Sequence, residues 1–80
     1  MDANKETMRD QIKAVIYGKF QTETACAAQM GWPRQRLNKI VQGKKEPTAS
    51  ELDAIAKATE TAIDSIAKIF LIYWSPNRRR

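Results

Sequence analysis

The chain has 80 residues, a formal net charge of +5, one cysteine and no histidine. That length makes one small domain whose core is marginal unless a partner buries more surface, so oligomerisation is expected. Lone Cys26 excludes an internal disulfide and a structural zinc set, no charged-then-apolar leader opens the chain, and the apolar run 69–74 is far short of the roughly 20 residues that span a bilayer. A reducing cytoplasm is therefore the expected location, with no membrane partner.

The expected fold is all-α with five helices, because no stretch sustains a period-two alternation and the prolines and glycines fall at helix boundaries. A first helix over residues 5–17 puts Met8, Ile12, Val15 and Ile16 on one face and ends near Gly18. Thr22 caps a second helix whose buried stripe is Cys26, Ala27 and Met30 and whose end is Gly31. Cys26 on that stripe reads as a small buried hydrophobe and not as a redox switch.

Pro33 is expected at the first position of a third helix, where its missing N–H has no intrahelical partner to lose. Leu37, Ile40 and Val41 then group on one side, with Arg34, Gln35, Asn38 and Lys39 on the other. That helix is expected to end at Gly43, and Lys44, Lys45, Glu46 and Pro47 make a loop. Ser50 or Thr48 caps a fourth helix carrying Leu52, Ile55 and Ala56, and a fifth begins near Thr61. The segment 33–45 holds five basic residues, Arg34, Arg36, Lys39, Lys44 and Lys45, and no acidic one, while the following segment 46–64 is acidic. A basic segment beside an acidic one implies an oriented molecule whose basic side meets a polyanion.

The order Ala27, Gly31, Leu37, Ile40, Gly43 and Pro47 over residues 20–60 resembles the lambda-repressor-like helix-turn-helix family of phage repressors, Cro proteins and XRE-type regulators. The resemblance implies a five-helix DNA-binding domain over residues 1–74, with the helix-turn-helix at helices two and three and a basic tail at 75–80. It also implies base reading from the first turns of the third helix, which here are Arg34, Gln35, Asn38 and Lys39. Arginine offers two parallel donors to guanine, and an amide pairs donor and acceptor with adenine; each good bidentate contact discriminates by about 1 to 3 kcal/mol. A small Ala27 lets the two helices cross closely enough to aim the second into a major groove about 12 Å wide.

Phosphate contacts are expected from Arg36, Gln42, Lys44 and Lys45, with Lys19 and Thr22 added at the front of the second helix; such contacts position and do not specify. Two residues depart from the family. Glu23 stands where these proteins commonly carry a DNA-touching glutamine, and it would repel a phosphate; an acid is otherwise favoured in a helix's first turn. Trp32 stands where a smaller aliphatic residue usually follows the glycine, and it is read as core or half-covered.

The segment 62–74 is more apolar than one face of a small domain can use. Ile63 and Ile66 fit core or seam equally, and Phe70, Leu71, Tyr73 and Trp74 are expected at a two-fold dimer interface. Arg78, Arg79 and Arg80 follow Pro76 in a tail that either grazes DNA or stays solvated. No histidine, glycine-rich phosphate loop or paired carboxylates support catalysis, and no cofactor, metal or small-molecule ligand is expected. The combined expectation is a small dimeric repressor that binds a palindromic double-stranded operator. The alternatives are an antitoxin whose late apolar helix meets a toxin, a protein-interaction module that ignores DNA, and an RNA binder, the last disfavoured because the deep, narrow major groove of A-form RNA excludes a recognition helix. Control is expected from protein concentration, competition for DNA or a protein partner such as an antirepressor.

Overall fold

Residues 3–74 are described by a computed structural model, in which five helices follow one another with no strand among the described residues. They are α1 (Ala3–Tyr17), α2 (Glu23–Met30), α3 (Arg34–Val41), α4 (Ala49–Thr59) and α5 (Ile63–Trp74). α1 packs chiefly on α5, which also covers α4, while α2 lies against α3 and α4. The tail expected to graze DNA lies outside the described residues.

Helix punctuation follows the residue chemistry closely. Thr22 is the N-cap of α2, its hydroxyl accepting from the Ala25 N–H at 3.0 Å. Gly31 ends that helix at φ 74, with its own N–H and that of Trp32 returning to the Ala27 and Ala28 carbonyls, a left-handed exit that favours glycine. At the start of α4 the choice between two candidate caps falls on Thr48. Its hydroxyl accepts from the Glu51 N–H while the Glu51 carboxylate accepts from the Thr48 N–H, a closed capping box.

Several boundaries move. α1 begins at Ala3, ahead of the expected residue 5, since neither Ala3 nor Asn4 breaks a helix. Pro33 is the N-cap and not the first helical residue: ψ 146 keeps it extended, and the helix starts at Arg34. α3 stops at Val41, with Gln42 as C-cap and Gly43 just beyond at φ 78. α5 starts at Ile63, after Glu60 has turned the chain at φ 56.

The core joins Met8, Ile12 and Ile16 of α1, Cys26 and Ala27 of α2, Leu37, Ile40 and Val41 of α3, Ile55 and Ala56 of α4, and Ile66, Ile69 and Phe70 of α5. Each of the larger aliphatic side chains contributes roughly 1.5–3 kcal/mol by leaving water. Val15, Met30, Leu52 and Trp32 are half-buried at its edge. Burial pushes the Cys26 thiol above its ordinary range, with the Glu23 charge adding to it, as a packed apolar cysteine requires.

Phe70 corrects the expectation of a dimer seam. It is 3 % exposed in a single chain, because Ile66, Ile69 and Phe70 sit at the i, i+3, i+4 spacing of one helix face and that face is turned toward the core. Tyr73 and Trp74 are half-buried and meet edge to face, ring centroids 4.9 Å apart. Leu71 alone of the four expected seam residues is well exposed, at 54 %.

Candidate nucleic-acid interface

Ala27, the small residue expected at the crossing of α2 and α3, is buried, and the two helices pack against each other. A side chain built on Gly31 would meet nothing within 4 Å, so glycine is required there by backbone conformation alone. Gly43 differs: at φ 78, an added Cβ would lie 3.3 Å from Lys5 Cε, Met8 Cε and Tyr73 Cε2. The end of α3 is thereby seated directly on α1 and α5.

With Leu37, Ile40 and Val41 facing inward, α3 presents Arg34, Gln35 and Lys39 to solvent. Asn38 is half-buried, and its amide Nδ2 donates to Glu23 Oε1 at 3.4 Å, which ties the outer side of α3 to the first turn of α2. A shallow cleft lined by Glu23, Thr24, Arg34, Gln35 and Asn38 runs between the two helices. All four expected base-reading residues thus share one side of α3, and Glu23 sits beside them.

The expected phosphate contacts divide. Lys44 is exposed in the loop, and Arg34, Lys39 and Lys44 have no carboxylate partner among the described residues. Thr22 holds the cap of α2 with its hydroxyl. Gln42 Oε1 accepts from Arg9 Nη1 at 3.2 Å, joining the end of α3 to α1. Lys19 is ion-paired with Glu60 at the C-terminal end of α4. That is one helix length, ~16 Å at 1.5 Å per residue, from the Thr48 end of α4 near the basic loop.

Arg36 and Lys45 converge on Glu51. Arg36 donates from Nε at 3.1 Å and Nη2 at 3.0 Å to Oε2, and Lys45 Nζ lies 2.6 Å from Oε1. The guanidinium also lies over the Trp32 ring, 4.1 Å from its centroid, so Trp32 serves as a stacking plate inside the protein. Burial by itself would raise the Glu51 carboxyl, but hydrogen bonds from Lys45, the Thr48 N–H and Arg36, with the Lys45 charge, outweigh it and hold it at about 2. Glu51, the Glu23–Asn38 link and the Trp32 plate had not been singled out from the sequence. For Glu51 a signal existed, the Thr-x-x-Glu spacing of a capping box at Thr48 and Glu51.

Among the described residues no group of three or more histidine, cysteine, aspartate or glutamate side chains could hold a metal ion. Nor is any helix there long and apolar enough to cross a membrane. A helix-turn-helix family model, HTH_3, matches residues 22–66, from the cap of α2 into the first turn of α5. That is more than half of the chain, which belongs to this XRE-type, lambda-repressor-like helix-turn-helix family. It is a DNA-binding transcriptional regulator with a non-enzymatic domain. No curated protein and no solved structure matches the chain significantly.

Proposed function

We propose that this regulator is a small dimeric repressor of the phage repressor or Cro type, acting in the cytoplasm on a palindromic operator. The observation that carries the reading is the outer side of α3, where Arg34, Gln35 and Lys39 stand exposed beside the half-buried Asn38. Arg34 and Gln35 take the main base contacts in the major groove, with Asn38 and Lys39 beside them. Lys44 is the leading phosphate contact, supported by Thr22 and by the remaining N–H groups of Gln42. Arg36 and Lys45 flank this face while held by Glu51, and Lys19, engaged at the far end of α4, is left outside the proposed set.

Of the expected seam residues Leu71 is the exposed centre of the proposed dimer surface; with Trp74, Leu52, Ala67, Pro47, Glu46 and the edge of the largely buried Phe70 it lines a mostly apolar cleft between α5 and the start of α4. Trp74 Nε1 is buried there with no hydrogen-bond partner among the described residues. A two-fold partner on this side sets two recognition helices ~34 Å apart, one turn of DNA. Sedimentation of wild type and Leu71→Glu tests it: a monomer in both, free and on DNA, removes the dimer.

The test of the function as a whole is selection of a preferred duplex from a random pool. That duplex and a scrambled one are then titrated at several salt concentrations. A two-fold symmetric winner supports the repressor. Binding without preference that vanishes at physiological salt leaves only a basic surface.

A further inference from the structure

The segment 33–45 carries five cations, yet two of them answer to one carboxylate. Arg36 comes from α3, Lys45 from the loop after it, and Glu51 from the first turn of α4, so the three side chains join the recognition helix to the element that follows. Glu51 is 5 % exposed, whereas Arg36 and Lys45 are 43 % and 41 % exposed. An exposed glutamate beside this face would itself repel a phosphate. A nearly buried one subtracts its charge as well but also holds two cations in place. We propose that Glu51 is a positioning residue that restrains sequence-independent DNA affinity by keeping Arg36 and Lys45 off the phosphates, an inference that rests on the DNA-binding reading above.

The physical ground is what either cation would have to give up. Arg36 is fixed from two sides, by the two donors on Glu51 Oε2 and by the Trp32 ring at 4.1 Å. Lys45 closes the other oxygen at 2.6 Å. Moving either one to DNA leaves a nearly buried carboxylate short of a partner, and stranding a buried charge is costly. The three groups together therefore offer the DNA a single net positive charge instead of two. Non-specific affinity scales with the number of phosphates neutralised, so the clamp lowers it. The exposed side chains proposed to read bases, Arg34 and Gln35, are not part of the clamp and keep their reach.

Glu51→Gln is the test, since glutamine keeps an oxygen for the Thr48 N–H but lacks the charge that holds two cations. Circular dichroism first establishes that the variant is helical. On a scrambled duplex it is expected to bind about 3- to 10-fold tighter near 0.1 M salt, with a salt slope steeper by about one. Glu60→Gln, the same charge change at the far end of α4, is expected to leave both unchanged. A merely structural role for Glu51 moves affinity the opposite way, so unchanged or weaker binding by Glu51→Gln, or an equal gain in Glu60→Gln, overturns the inference while the DNA-binding reading stands. A wild-type chain that binds no duplex at all overturns both. Where Glu51→Gln fails to fold, the wild type decides through nuclear magnetic resonance. The Arg36 Nε–H signal is expected to stay slow to exchange and unmoved when duplex is added, and its displacement toward a phosphate-bound state overturns the inference.

Discussion

Replacing Gly43 by alanine sets two costs against each other, and the second glycine of similar geometry separates them. Gly43 and Gly31 sit at φ 78 and φ 74, so the left-handed strain of an L-residue, roughly 1 kcal/mol, is nearly the same at both. The gain from restricting the unfolded chain, about 0.4–1 kcal/mol, is also shared. What differs is space: the new methyl meets nothing within 4 Å at Gly31 but three atoms at 3.3 Å at Gly43. Lys5 Cε and Met8 Cε end flexible side chains and can withdraw, whereas Tyr73 Cε2 belongs to a ring packed edge-on against Trp74. Overpacking of this kind costs about 1–3 kcal/mol, and the partial relief offered by Lys5 and Met8 places Gly43→Ala near the lower end. The expected difference between the two variants is therefore about 1 kcal/mol, or ~4–8 °C in thermal midpoint for a domain of this size. Thermal unfolding followed by circular dichroism measures it. Equal midpoints for the two variants would refute the seating of α3 on α1 and α5 as a source of stability.

The remaining expectations concern charge and docking. Glu51 titrates at about 2 in the folded chain against roughly 4.3 when unfolded, so its depressed value contributes stability that is complete above about pH 5. That contribution, on the order of 2–3 kcal/mol, is lost as pH falls through 4 toward 2. Urea titrations at pH 7, 4 and 3 should show the decline, and a decline of equal size in Glu51→Gln would assign it to other carboxylates. Arg34→Ala should cost about 1–3 kcal/mol and relax preference at one base pair, whereas Lys44→Ala should weaken all sequences alike and lower the salt slope by about one. Equal, sequence-independent losses in both would reduce Arg34 to a phosphate contact. Ala27→Leu should abolish specific binding by forcing α2 and α3 apart, at about 1–3 kcal/mol of overpacking; retained affinity with retained helicity would contradict the crossing geometry.

Local chemistry made much of the fold legible. Thr22, Gly31 and Thr48 mark helix ends through contacts made within a few residues, and such contacts are carried by sequence spacing. Met8, Ile12 and Ile16, and Leu37, Ile40 and Val41, are buried as their periodicity implied, while Val15 of the first stripe is half-buried at the edge of the core. The same periodicity failed at α5. It shows that a face is apolar but not what covers it, and only the packing of α5 on α1 and α4 turned Phe70 inward and left Leu71 outside.

Charge divides along the same line. Its sign and crowding between residues 33 and 45 belong to the sequence alone, as does the alternation of packing and outward residues around α3. Partnership among those charges does not. Arg36 meets Glu51, and Asn38 meets Glu23, across 15 residues of chain. Lys19 meets Glu60 at the end of a different helix. A long polar side chain can swing toward DNA, solvent or another helix, and spacing along one helix cannot choose among them. The choice was made when α2, α3 and α4 packed and set those carboxylates within hydrogen-bonding or ion-pairing reach.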